Sequence, residues 1–399
     1  MKSSKRSYSR DQFLALLGAA LLQLALAGTL LNTIGVLLAQ IRTEYGFQLS
    51  RITTFNLIRT LAGALLASAY SAAFFKLGKG KTIMGCIGLI VAGHLLLFFG
   101  PDTWVWYLSP VLMSCGSSIC IFGIPYALRP WFPEGDGTAS GLAMAFSGIG
   151  GMVFSPIIAA LISSYGWRVS VQIMSLLTLA FGAIGTFLLF SKKLPLSHSE
   201  EIRSKNSEND TGFDLGKFLL AAVLFVGNQF AMLLVSYLSI YAQDFGYSLV
   251  SGAALTSFVM AGNILGKLVY GVGCDRLGMW KTTFGCYLLV AAGVALMVVM
   301  VHVYPILCMG AVMMGFVYAV NTLAVAKCCI AIYGETASSR YVGLHAGVNA
   351  GFGTLLSLGI GIFYDYAGTF VPIFLAAAAS AAVSSFIAFI MMRRSGRPG

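Results

Sequence analysis

Phe75-Lys76-Leu77-Gly78-Lys79-Gly80-Lys81 and Asp275-Arg276-Leu277-Gly278-Met279-Trp280-Lys281 stand 200 positions apart in a chain of 399 residues. Each is a short basic loop between two long apolar runs. Tyr45-Gly46-Phe47 meets Phe245-Gly246-Tyr247 at the same distance, and Gly141-Leu142 and Gly151 meet Gly343-Leu344 and Gly353 at 202. Such pairs, in one order along the chain, are the mark of an internal duplication. The polar segment 191–213, rich in Ser, Lys, Glu and Asn, separates the copies. The expected organisation is a first half over 1–190, a linker over 191–213 and a second half over 214–399.

The runs flanking these loops decide the solvent. A bilayer-spanning helix needs ~20 mostly apolar residues. Charge-free stretches of that kind occupy 12–41, 82–101, 103–128, 137–167, 169–191, 218–243, 341–364 and 366–392. Two further spans, 52–75 and 245–274, are each interrupted by one cation, Arg59 and Lys267. The stretch 282–334 divides at His302-Val303-Tyr304-Pro305 into two, the second carrying Lys327. The sum is twelve, six per half. Runs this continuous are helices, because barrel strands alternate in polarity. The first follows a basic leader, is too long for a signal-peptide core and is read as a retained membrane helix.

Composition agrees. The chain is 58% hydrophobic and 10% charged, where soluble proteins are ~45–50% apolar and ~25% charged. Its net charge of +11 sits in short loops and forms no basic stripe, which argues against nucleic acid. The eight cysteines lie in or beside apolar runs without a CxxC pair and read as small buried hydrophobes. With the N-terminus placed in the cytoplasm, 19 Lys and Arg fall in inner loops and tails, and three (Arg42, Arg51 and Arg168) fall outside. The positive-inside rule then puts both termini in the cytoplasm of a multi-pass protein of the cell membrane. Parallel six-plus-six repeats suit a rocking secondary transporter with one central site. An enzyme would need a polar constellation that four scattered histidines do not supply. A sensor would bring a signalling domain.

The segment Gly271-Val-Gly-Cys-Asp275-Arg276-Leu-Gly278-Met-Trp-Lys281 resembles the cytoplasmic loop signature of the major facilitator superfamily. That resemblance implies a gate at Asp275, Arg276, Gly278 and Lys281. Phe75 replaces the acid in the first copy, so the implied gate is asymmetric. Trp131-Phe-Pro-Glu134, Ala139-Ser-Gly-Leu-Ala-Met-Ala145, Ser147-Gly-Ile-Gly-Gly151, Pro156 and Gly166-Trp-Arg168 look like the monocarboxylate porter and oxalate/formate antiporter branch. Gly35-Val36, Glu44-Tyr-Gly46 and Gly361-Ile-Phe-Tyr-Asp365-Tyr-Ala-Gly368 are similar to the same branch. The fold implied is all-α, with twelve transmembrane helices in two pseudo-symmetric six-helix bundles.

Charge placement points to the substrate. All fourteen acidic residues lie in loops or at helix ends, whereas Arg59, Lys267 and Lys327 lie within spans. A charge deep in a bilayer costs ~2.5–3.5 kcal/mol on insertion scales and marks a functional site by default. Cations without carboxylates expect an anion to supply the partner. Lys267 ranks first, two turns in from Asp275; the branch places an arginine there that pairs with the substrate carboxylate. Lysine lacks the bidentate fork. Asn263 stands where proton-coupled animal members carry a carboxylate. A lysine can release its proton when desolvated, which leaves proton co-transport at Lys267 open. For Arg59, snorkelling outward and an outer selectivity role weigh equally; Lys327, near Tyr333, leans to snorkelling. Tyr126 matches a tyrosine-bearing stretch of the branch's binding site, by resemblance. Asn32, Asn228, Gln229, Tyr318, Asn321 and Asn349 are neutral polar residues on cavity helices, with interhelical hydrogen bonding as the plainer role. Gly343, Gly347 and Gly351, and Ser147, Gly151 and Ser155, form small-residue stripes expected to bring helices close. The expectation is a monomeric transporter of a small organic anion such as lactate or pyruvate, without cofactor. An oxalate/formate-type exchanger and an efflux carrier of larger organic anions are the alternatives.

Overall fold

The computed structural model describes residues 9–100, 103–118, 124–132, 136–191 and 214–395. The described residues are all-α and form twelve helices. We number them α1 (Arg10–Tyr45), α2 (Leu49–Leu77), α3 (Lys79–Phe98), α4 (Thr103–Ser118 and 124–131), α5 and α6 (the two parts of Asp136–Phe190, broken at Gly166), α7 (Leu215–Asp244), α8 (Leu249–Leu277), α9 (Met279–Val299), α10 (304–333), α11 (Glu335–Ala367) and α12 (Val371–Ser395). The expected linker 191–213 lies outside the described residues, save Ser191.

The turns carry the duplication into three dimensions. Gly46 and Gly246 take φ of 63° and 81°, Gly78 and Gly278 take 83° and 88°, and Gly166 and Gly368 take 81° and 68°. Left-handed backbone costs a residue with a Cβ about 1–2 kcal/mol, so glycine is held at both copies of each turn. Helix starts are capped by local chemistry. Ser9 and Gln12 form a capping box on α1, and Ser248 accepts from the Ser251 backbone N–H on α8. On α7 the Asp214 carboxylate accepts from the Lys217 backbone N–H at 3.1 Å. That bond, aided by the Lys217 ammonium, holds the exposed carboxyl below its usual value.

Three helices depart from α geometry near their middles. α1 has a π turn over Ala27–Leu31, α7 a 3-10 turn over Val235–Tyr237 and α10 a π turn over Val320–Ala324. π turns free backbone groups and gather at functional sites.

The chain forms two compact units. One comprises 1–31, 61–151 and 168–209; the other comprises 32–60, 152–167 and 210–399. In the first, Gly18 faces Gly185 and Gly28 faces Gly150 where helices cross, and Thr29 and Thr178 share a hydrogen bond of 2.6 Å. In the second, Gly262 of α8 meets Gly315 of α10: a Cβ on Gly262 would overlap the Val312 carbonyl, and one on Gly315 the Val259 carbonyl. Gly227 of α7 lies against Ser384 of α12 in the same way. The expected stripe on α11 behaves otherwise. Gly347 and Gly351 face open space, so they bring no described neighbour close. Helical spacing places small residues on one face, but whether a second helix occupies that face is decided by the packing of the others.

Candidate functional site

The second unit encloses a cavity of about 110 Å³. Its walls come from α2 (Asn56, Leu57, Arg59, Thr60), α7 (Gln229, Leu233, Ser236, Tyr237) and α11 (Asn349 to Ser357). Gln229 and Asn349 stand near the middle of their helices. At a rise of ~1.5 Å per residue that is the depth of the bilayer core.

The local sequence explains each side chain's position. Asn56 and Arg59 are three apart on α2 and therefore share a face; Arg59 Nη2 donates to Asn56 Oδ1 at 3.4 Å. The 3-10 turn of α7 carries Tyr237, whose hydroxyl shares a hydrogen bond with Ser357 Oγ at 3.1 Å. Gly353, one turn from Asn349, makes room for Gln229, whose Oε1 would lie 3.3 Å from a Cβ there. Arg59 keeps part of its surface open to the cavity, while its Nε is fully enclosed.

Arg59 Nε and Asn349 Oδ1, on two residues that line this cavity, are fully enclosed and have no hydrogen-bond partner among the described residues, whereas the Asn56 side chain lies against the Tyr237 hydroxyl. Leaving a buried polar atom unpaired costs about 1–3 kcal/mol. Among the described residues, no carboxylate lines the cavity. The guanidinium and the side chains of Asn56, Gln229 and Asn349 thus sit around one small space. The guanidinium turns to Asn56 on its own helix.

The other sequence candidates scatter. Lys267 is partly buried on α8, makes no ion pair among the described residues and does not line this cavity. Asn263, one turn away, is buried with its Oδ1 unpartnered and its amide 3.9 Å from Met260 Sδ. Asn228 donates to the Val317 carbonyl at 3.0 Å, the packing role expected of it. Asn321 Nδ2 lies 3.3 Å from Met232 Sδ. Tyr318 is partly buried, and Asn32 lies in the bend after the π turn of α1; neither lines the cavity. Lys327 is exposed. The Tyr126 side chain lies outside the described residues. Asp275, Arg276 and Lys281 are exposed, and Asp275 has no ion pair among the described residues, so the resemblance alone speaks for a gate there. Sequence reasoning passed over Asn56, Tyr237 and Ser357. The one available signal was Asn56, one turn from an intramembrane cation.

It also passed over the contacts at the Gly46 and Gly246 end of the second unit. Asp365 accepts from the backbone N–H groups of Leu49 and Ser50 at 2.6 and 2.8 Å, capping the start of α2 from the end of α11. Its neighbour Tyr364 donates to Asp244 at the end of α7, with oxygen contacts of 2.8 and 2.9 Å. The Arg42 guanidinium lies 4.9 Å over the Tyr364 ring. Gly361 lies directly against Thr53, and Gly35 against the Ser236 carbonyl. Side by side on one helix, Tyr364 and Asp365 tie α11 to α7 and α2.

The sequence profile of the Major Facilitator Superfamily matches residues 20–345. The chain belongs to that superfamily. Membership of that superfamily speaks for a transporter rather than an enzyme. Among similar proteins is monocarboxylate transporter 13 of Rattus norvegicus, 27% identical over 67% of this chain and 64% of its own length. Another is the MFS-type transporter pynF of Aspergillus niger, 25% identical over 43% of this chain and 39% of its own. The alignments thus span less than two thirds of these relatives. Two solved structures share the Major Facilitator fold. The nucleoside transporter NupG has a TM-score of 0.71 at 14% identity, covering 96% of this chain and 100% of that one. The D-xylose-proton symporter has a TM-score of 0.70 at 12% identity, covering 96% and 98%.

Proposed function

We propose that this Major Facilitator protein is a secondary active transporter of a small organic anion, a monocarboxylate such as lactate or pyruvate, working by alternating access. The observation that carries the reading is the cavity that holds Arg59 and, among the described residues, no carboxylate. A guanidinium in low dielectric is costly until an anion joins it, and a carboxylate matches its planar fork. The resemblance to monocarboxylate transporters runs the same way. The cavity is also small, about the space of four waters, which suits a short-chain acid better than a larger organic anion.

In this reading the anion pairs with Arg59 between the two sequence repeats, and Lys267 is a second cation on the route, available to a co-transported proton. The basic loops put both termini in the cytoplasm of the cell membrane and the Asp365 contacts on the outside. One chain forms the cavity, which supports a monomer as the working unit. Exchange of one anion for another is the second reading, favoured by the same uncompensated charge.

Uptake of labelled lactate, pyruvate, formate and oxalate into proteoliposomes tests this, with and without an inward proton gradient. Monocarboxylate uptake that Arg59→Gln lowers by about tenfold or more is the expected result. Stimulation by the gradient marks proton symport, and uptake only against preloaded anion marks exchange. Failure of all four acids to enter would reject the monocarboxylate assignment.

A further inference from the structure

Resting on the anion reading above, we propose that Tyr237 is a positioning residue that fastens the outer part of α2 to α7 and α11, and that an anion at Arg59 releases it. The second unit joins these three helices at two levels. At the outer level, Asp365 of α11 accepts from the Leu49 and Ser50 N–H groups of α2, and its neighbour Tyr364 donates to Asp244 of α7. At the inner level, the Tyr237 hydroxyl of α7 shares a hydrogen bond with Ser357 of α11 and lies against the Asn56 side chain of α2. Each helix serves both levels at a spacing of seven residues: 49 and 56 on α2, 237 and 244 on α7, 357 and 364 on α11. Seven residues are two helical turns, so the levels stand about 10 Å apart on one face of each helix. Between them Gly361 brings α11 against Ser50 and Thr53 of α2, where a Cβ would overlap both.

The two levels answer to different groups. The outer one holds α2 by backbone N–H groups of residues that do not line the cavity. The inner one holds α2 through Asn56, and Asn56 also accepts from Arg59 Nη2 at 3.4 Å. One amide thus connects the cation to Tyr237. A carboxylate that engages the guanidinium competes with Asn56 for its N–H groups. Asn56 then leaves the position in which it meets Tyr237, and α2 is held at the outer level alone. Tyr237–Ser357 and Tyr364–Asp244 keep α7 and α11 joined to each other, so the loosening falls on α2, the helix of the other sequence repeat. Rocking of one repeat against the other needs that junction to part in each cycle.

Thr53, buried between the two levels, gives the reporter. In right-side-out proteoliposomes of a Thr53→Cys protein, an impermeant maleimide added outside reads the opening, with the protein lacking that cysteine as background. Lactate should speed labelling about tenfold, as expected when a hydrogen bond to a charged group is exchanged. With Arg59→Gln added, lactate should change the rate by less than about twofold. Tyr237→Phe keeps the ring and loses the hydroxyl; labelling should be fast without lactate and respond to it by less than about twofold. Asp365→Ala should also raise the basal rate but keep the response to lactate, because the inner level is intact. A Tyr237→Phe protein that labels slowly and still responds overturns the inference, and so does loss of the response in Asp365→Ala. Asn56→Ala cuts the same connection from α2, and a response retained there overturns it too, so a poorly folding Tyr237→Phe does not shield it. If lactate enters in an Arg59-dependent way yet leaves labelling of the Thr53→Cys protein unchanged, the anion reading survives and this inference falls. If lactate neither enters nor alters labelling, both fall together.

Discussion

Helices α2 and α8 are mates in the repeat, 200 positions apart, and each carries one cation within its span. Their surroundings differ. Arg59 has Asn56 on its own face and Gln229, Tyr237, Asn349 and Ser357 opposite, around an open space. Lys267 has Asn263 a turn away and the Gly262–Gly315 crossing of α8 on α10 beside it, with no hydrogen bond or ion pair among the described residues. A charge is expensive in either place. On α2 that cost is offset by polar company and a cavity open to a counter-ion; on α8 the same helix position in the repeat is given over to close backbone packing. In the proposed function, duplicated helices have diverged into a wall that binds and a wall that holds.

The contrast can be broken at either wall. Gly262→Leu should be the most damaging change, because its side chain enters the Val312 carbonyl. Overpacking of this kind costs about 3 kcal/mol or more, and a large drop in the detergent melting temperature should report it. A stable Gly262→Leu protein would mean that α8 and α10 are not locked together. Next comes Arg59→Gln, where loss of a charged partner worth about 1.5–3 kcal/mol lowers kcat/KM for monocarboxylate uptake by about tenfold to hundredfold. Arg59→Lys should recover part of this, since the charge stays and the fork goes.

Lys267→Gln should change apparent substrate affinity by about threefold or less, as befits a cation outside the cavity. A loss as deep as that of Arg59→Gln would reverse the comparison and place the anion at α8. Smallest of all, Gly347→Ala should shift stability by no more than about 0.5 kcal/mol, because its Cβ would point into open space. A collapse of that variant would show that another helix visits this face during the transport cycle.

The glycine at each turn was legible because a left-handed turn admits few other residues, and a copy 200 positions on is hard to mistake. The twelve spans were legible because lipid demands continuous apolar length. Orientation within the bundle was not. Asn56 and Asn349 are 293 positions apart and meet only because α2, α7 and α11 pack together, which no periodicity announces. The family's pattern drew attention to Lys267, the residue at the expected position, and away from Arg59, whose depth left snorkelling and function in balance. Asp365 was noticed as part of a motif, but its partners are two backbone N–H groups, and any residue presents those.

The lone guanidinium also has an electrical consequence. In the proposed reading, Arg59 is a positive charge without a carboxylate partner in its cavity when that cavity is empty, and a bound monoanion cancels it. An elementary charge crossing the full field exchanges about 2.3 kcal/mol per 100 mV. In the proposed cycle the loaded reorientation therefore moves one charge fewer than the empty return, and voltage acts on the two steps differently. Anion on the far side should quicken uptake by letting each return trip be made loaded, and voltage should act differently on net uptake and on one-for-one swapping.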